Sequence, residues 1–225
     1  MSFLEAKIGI LSHVDGSSQL TSQSTNVICG VTGPIEPKPR QELPNELALE
    51  IIVRPATGVS NTREKLLEDR LRGVLTPIIN RNLYPRQLCQ ITCQILDSGE
   101  SDEYFSQKEL ACCINSSFLA LIDAGIALNS TVASIVLAIM NDAEETIVTN
   151  PTNEQLLESK SVHILALEIV NESKLIKNVL LLDSLGDFTE TQLFKILEIG
   201  EKSCVDISIS LRKIIQDRVE QSIIR

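Results

Sequence analysis

The hydrophobic period of this chain switches repeatedly between two and 3.6 residues, and that alternation restricts it to folds that mix sheets with helices. Residues 88–97 give the clearest strand, with Cys89, Ile91, Cys93 and Ile95 on one side and Gln90, Thr92 and Gln94 on the other. Residues 47–54 place Leu47, Leu49, Ile51 and Val53 on one side, and Pro55 stops the ladder. Residues 8–34 read as strands: Ile8–Leu11, an Asp15-Gly16 turn, then the β-branched run Thr25–Thr32. Between them, Pro34–Pro44 holds four prolines in eleven positions and reads as loop.

Helical spacing takes over from about Ser60 to Ile79, where Leu66, Leu67, Leu71, Val74 and Leu75 form a stripe opposite a charged face. Ser106-Gln107-Lys108-Glu109 matches a capping box opening a buried helix that ends at Gly125. Strand signals return at 131–140, 162–170 and 175–182, the last two joined as a hairpin through Asn171–Lys174. Residues 141–152 read as a loop, and Thr189–Gln192 as a second capping box opening a helix toward the C-terminus. The expected fold is α+β, an α/β two-layer arrangement, in one domain of residues 1–225 with related halves of roughly 1–125 and 126–225.

Composition narrows the function classes. The chain has 225 residues, a net charge of −10 and 43% hydrophobic residues, which suits a globular chain with a sizeable core. No apolar run approaches the roughly 20 residues of a membrane-spanning helix, and the N-terminus lacks the pattern of a secretory leader, so a cytosolic or nuclear setting is expected. Residues 38–86 carry nine Lys/Arg against six Asp/Glu, leaving the acidity elsewhere. The whole molecule repels nucleic acid, whereas this segment could touch phosphates locally.

Familiar catalytic signatures are absent. The two histidines, His13 and His163, have no nucleophile motif around them. Neither a Walker loop nor a dinucleotide fingerprint occurs. The six cysteines read as buried small hydrophobes, so no metal or cofactor is expected. The carboxylates of Asp142–Glu145 and Ser98–Glu103 read as solvated loop charges. The sequons at Asn115, Asn129 and Asn171 read as chance matches.

Three strings are specific: Gly16-Ser17 leading to Thr25-Asn26-Val27-Ile28-Cys29-Gly30-Val31, then Tyr84-Pro85-Arg86-Gln87-Leu88-Cys89-Gln90-Ile91-Thr92, and Ile114–Gly125. They resemble the RNase PH family over nearly the whole chain. The Ile35-Glu36-Pro37 loop and the Gln-Ile-Thr-Cys-Gln-Ile-Leu strand are similar to ring subunits of the eukaryotic RNA exosome, of fungal type. The resemblance implies an RNase PH-like fold of two ribosomal protein-like ββαβα-type halves, one of six related subunits in a ring threaded by single-stranded RNA. It also implies RNA-binding cap subunits and a separate catalytic exoribonuclease as partners, no DNA or membrane, and a place in the nucleus, including the nucleolus, and the cytoplasm.

Phosphorolytic members bind the attacking phosphate through a Gly-Thr-Arg motif at a helix start, and the resemblance puts Lys108-Glu109-Leu110 there. Leucine has no guanidinium fork and Glu109 repels phosphate. The family's aspartates align near Leu156 or Leu157, Ser161 and His163, with Glu154 and Glu158 close enough to replace one of them. Both departures imply a catalytically inert relative. The alternative is a phosphate-dependent 3′ to 5′ exoribonuclease, and a hydrolytic nuclease with an unfamiliar ligand set is a third class. Arg63, Lys65, Arg70, Arg72 and Arg86 match the part of the family that faces RNA; equally, they fit a solvated face with pairs such as Glu68 with Arg72.

Overall fold

The computed structural model describes residues 4–101, 104–142, 146–170 and 175–223. The first half contains β1 (Leu4–Ile8), β2 (Gly16–Ser22), β3 (Thr25–Ile35), β4 (Ala48–Arg54), α1 (Thr62–Ile78), β5 (Leu88–Asp97) and α2 (Gln107–Asp123). The second contains β6 (Thr131–Met140), β7 (Ile147–Thr149), α3 (Asn153–Glu158), β8 (Ser159–Val170), β9 (Leu175–Gly186) and α4 (Glu190–Ile223). The order ββαβα appears in the first half as β3-β4-α1-β5-α2 behind a β1–β2 hairpin, and in the second it is interrupted by the extra strand β9.

Two sheets result, ordered β1-β2-β3-β5-β4 and β7-β6-β8-β9. Among the described residues only the β4–β5 pair is parallel, as its helical crossover α1 requires. The period-two residues Cys89, Ile91, Cys93 and Ile95 of β5 all enter one core with Leu67, Leu71 and Leu75 of α1 and Leu110, Ile114 and Leu121 of α2. Both helices therefore cover the same face of the first sheet. Val132, Val136, Val162, Ile164 and Ala166 of the second sheet join that core too, so α2 lies between the sheets and every residue from Gln107 to Leu121 is buried. A second core, with Leu137, Leu165 and Leu167 against Ile196 and Cys204, seats α4 on the outer face of the second sheet. Each half is a two-layer unit, and stacking yields sheet, helices, sheet, helix.

Several local expectations shift. The first strand is Leu4–Ile8 rather than Ile8–Leu11, and β3 runs through Pro34 to Ile35 before the proline-rich loop begins. The segment 141–152 holds β7, and α3 follows with a capping box in which Thr152 Oγ1 accepts from Gln155 N at 3.4 Å and Gln155 Oε1 accepts from Thr152 N at 2.9 Å. At Thr189 the expected box forms, with Gln192 Oε1 accepting from Thr189 N at 2.7 Å. The hairpin turn Asn171–Lys174, with its sequon, lies outside the described residues, as do Asp102, Glu103 and 143–145.

Candidate functional site

The first turns of α1 and α2 face each other. Asn61 precedes α1 and its N–H donates to Glu64 Oε2 at 2.6 Å, which fixes the helix start beneath Arg63. The Arg63 guanidinium leaves α1, donates from Nη2 to the Phe105 carbonyl at 2.9 Å and pairs with Glu109 Oε2 at 2.6 Å. Glu109 is 2% exposed, so this pair is desolvated on the acid's side and locks two helix termini together.

A second carboxylate sits on the end of α2 itself. Glu100 Oε2 accepts from Lys108 N at 3.2 Å and Oε1 accepts from Glu109 N at 2.9 Å. These are two of the N–H groups that a helix start leaves unsatisfied, at its electropositive end. Gly99 makes this possible: its φ of +66° lies in the left-handed region, and a Cβ there would collide with Ser24 and Thr25. Thr25 Oγ1 donates to Ser98 O at 2.8 Å and Ser98 Oγ to Glu100 O at 3.1 Å, anchoring the segment. Burial pushes the Glu100 carboxyl up to about 7, opposed by its two backbone N–H donors and by Lys108 and Arg63.

Lys108 is also buried, and among the described residues its Nζ contacts neutral oxygens: Ser24 Oγ and Gly99 O at 3.4 Å and Gln23 Oε1 at 3.5 Å. Burial lowers its pKa, while Glu100 acts in the opposite sense. Leu110, the third residue of the aligned triplet, is wholly buried in the core and presents nothing to the terminus. The void bordering Lys108 measures about 20 Å³, room for a single water. The predicted Ser106–Glu109 capping box does not form, because Arg63 holds the Glu109 side chain and Glu100 caps the helix instead. Reading Ser98–Glu103 as solvated charge was therefore wrong for Glu100, which is 6% exposed; the only sequence signal was its place shortly before a helix start.

The aligned acidic positions lie elsewhere. Strand alternation turns Val162 and Ile164 toward α2 and puts Ser161 and His163 on the α4 side. There Ser161 Oγ lies 2.9 Å from His163 Nε2, Ser184 Oγ lies 2.7 Å from His163 Nδ1, and Phe188 meets the imidazole edge-on at 4.9 Å. Burial pushes His163 down to about 4, so the ring is neutral and bridges two hydroxyls. Leu156 is buried, whereas Glu154, Leu157 and Glu158 of α3 are exposed. The second half reaches the Lys108 surroundings with the Asn150 carbonyl, which accepts from Gln23 Nε2 at 2.6 Å. Among the described residues no group of three or more His, Cys, Asp or Glu is arranged to hold a metal.

Residues 3–127 match the model of the 3′ exoribonuclease family, domain 1 (RNase PH), and residues 130–203 match domain 2 of the same family. The chain belongs to the RNase PH family. It is 64% identical to a protein of Saccharomyces cerevisiae named exosome complex component RRP46, over 98% of this chain and 99% of that protein. A Schizosaccharomyces pombe protein named exosome complex component rrp46 is 34% identical over 96% of this chain and 91% of its own length. The crystal structure of rice (Oryza sativa) Rrp46 superposes with a TM-score of 0.83 at 23% identity, covering 95% of this chain and 94% of that one; this confirms the RNase PH-like fold.

In this RNase PH chain the five cations singled out in sequence separate into two sets. Arg63 is held as described, and Arg70 pairs with Asp183 of β9 at 2.7 Å, each about a quarter exposed. Lys65 pairs with Glu68 at 2.7 Å and Arg72 with Asp69 at 2.8 Å along α1, while Arg86 lies 3.6 Å from Glu42. Lys65 and Arg86 are the most exposed of the five, at 67% and 73%. The expected Glu68 to Arg72 pair is replaced by Asp69 to Arg72, because Glu68 turns inward and accepts from Val53 N at 3.1 Å.

Proposed function

We propose that this chain is a non-catalytic subunit of the hexameric RNase PH-like ring of an RNA exosome, serving 3′ to 5′ RNA processing and degradation through subunit interfaces and the wall of a channel for single-stranded RNA. The observation that carries the reading is the Glu100 carboxylate seated on the α2 terminus, beside a second carboxylate at Glu109. Phosphorolysis needs a vacant anion site and a cation able to hold the attacking phosphate. Here the N–H groups are occupied, Arg63 is engaged by Glu109, and Leu110 stands where the family carries arginine. The fungal relatives named as exosome components support the assembly. Its partners on this reading are other RNase PH-like ring subunits, RNA-binding cap subunits and a separate catalytic exoribonuclease, in the nucleus, including the nucleolus, and in the cytoplasm.

RNA contact, on this reading, is made to phosphates and is independent of sequence. Lys65, Arg72 and Arg86 are its candidates because their side chains reach solvent, whereas Arg63 and Arg70 serve the fold. The test is a phosphate-dependent exonuclease assay on the purified chain and on the reconstituted ring lacking its catalytic partner, with detection of nucleoside diphosphates. No diphosphate release in either form is expected. Release that requires inorganic phosphate would overturn the reading in favour of a phosphorolytic exoribonuclease.

A further inference from the structure

We infer that the groove at the C-terminal end of α2, bordered by Arg212 of α4, docks an extended segment of a partner protein that carries one acidic side chain flanked by aliphatic ones. The groove lies fourteen residues along α2 from Lys108, about 20 Å away, so the inference is independent of how the other end of that helix is read.

Arg212 is the decisive residue. Five arginines are half-buried among the described residues. Four of them, Arg63, Arg70, Arg72 and Arg81, hold a carboxylate of the chain at 2.6–2.8 Å, from Glu109, Asp183, Asp69 and Glu46 in turn. Arg212 holds none among the described residues, in a chain whose net charge is −10. Its neighbours one helical turn away are Ser208, Ile209, Ile215 and Gln216, so α4 offers it no acid. The nearby acids of the flanking elements are engaged elsewhere: Asp123 Oδ2 accepts from Ser17 N at 2.9 Å, and Glu168 accepts from Lys177 Nζ at 3.1 Å and Asn178 Nδ2 at 2.6 Å. A partly desolvated guanidinium gains more from a carboxylate than an exposed one does, and the fork geometry favours a planar acid.

The rest of the groove is largely apolar. Buried Ile126 and Ile169 form its floor, and half-buried Ile122, Leu128 and Val170 its sides, around a volume of about 490 Å³. It is an open groove and not a closed cavity. A small free acid would stay largely in water there, whereas a chain segment can lay aliphatic side chains against the floor and bring a carboxylate to Arg212 in the same pose. A cation beside an apolar floor thus specifies an acidic-aliphatic segment, the complement of the groove in both charge and polarity.

The experiment is a titration of the full chain with the blocked peptide acetyl-Ser-Leu-Glu-Leu-Ser-amide, followed through the methyl resonances of Ile122, Leu128 and Val170. Saturable shifts are expected, with an affinity about tenfold above that of the same peptide carrying glutamine for glutamate, as one charge-assisted contact predicts. Arg212→Gln is expected to abolish that preference while leaving the glutamine peptide's affinity unchanged, and Arg212→Lys to retain part of it. Absence of saturable shifts in the unaltered chain overturns the docking site, as does equal binding of the two peptides or a preference that survives Arg212→Gln. Hexanoate binding as tightly as the glutamate peptide would make the groove a small-molecule site and overturn the segment. Shifts of the same methyls on concentrating the chain alone would assign the groove to a second copy and overturn it too.

Discussion

Arg63 Nη2 and Glu109 Oε2 meet at 2.6 Å, joining the first turn of α1 to the first turn of α2. The same nitrogen reaches the Phe105 carbonyl at 2.9 Å, so one guanidinium serves both the helix and the segment that leads into it. A cation chosen in sequence for RNA is in the structure a strut between helices.

Arg63→Ala is therefore expected to destabilise the chain by about 2–4 kcal/mol, since it leaves Glu109 buried without its cation. Arg63→Lys recovers only part of this, because an ammonium lacks the planar fork. Urea denaturation of both variants checks the order. A loss below about 0.5 kcal/mol for the alanine variant would show that the pair contributes no more than an exposed one.

Asn115 offers a second test. Its Nδ2 donates to Ser134 O and its Oδ1 accepts from Ser134 N, both at 2.9 Å. The three-residue β7 pairs only with Leu137–Ile139 of β6, so the amide of Asn115 completes the ladder at Ser134. Asn115→Leu should cost about 2–3 kcal/mol by leaving a buried donor and acceptor unmet, readable as a lowered melting temperature. An unchanged melting temperature would refute that role.

Gly16 packs β2 against the end of α2, where a Cβ would strike the Ala120 carbonyl and the Ala124 backbone. Since the obstacle is backbone, Gly16→Ala is expected to lose about 1–3 kcal/mol or to fail to accumulate. Gly73 on the exposed side of α1 has open space around its Cβ position, and Gly73→Ala should instead stabilise by up to about 1 kcal/mol.

Acid should act through His163. Its pKa is lowered by burial to about 4, so the neutral ring contributes stability that is full above the unfolded value near 6.5 and is lost as pH falls toward 4. Glu100 works in the opposite direction: raised to about 7, it contributes stability present below the ordinary carboxylate range and lost as pH rises through neutrality. Melting curves from pH 4 to 8 should show His163→Gln flattening the acid limb and Glu100→Gln the neutral one. A limb unaltered by its variant would remove that group from the pH response.

Sequence periodicity reached far into the fold. Strand 88–97 matches β5, the Thr189 box opens α4, and the helical stripe matches α1 except at Leu66, which is exposed beside the buried Leu67, Leu71, Val74 and Leu75; these patterns are local and written in side chains that bury on one face. What stayed hidden depends on distant partners. The Ser106 box is a sound local motif, yet Arg63 and Glu100 compete for the same groups and win by burial. The resemblance puts Ser161 and His163 near the family's aspartates, an implication that local pattern cannot weigh, and strand parity places both on the α4 side. The cap on α2 is likewise non-local: only the three-dimensional approach of the loop after β5 brings Glu100 to the Lys108 and Glu109 N–H groups.

With no solvent-facing side from Gln107 to Leu121, α2 has consequences for how the molecule opens. Either sheet, peeled away, would uncover an apolar helix flank, so partial opening of one half is penalised by the other. Amide hydrogens of α2 should exchange with deuterium only through global unfolding, and those of β3, β5, β6 and β8 should approach the same limit. The two sequence-level halves would then share a single exchange barrier, with the central helix as the keel to which both are fastened.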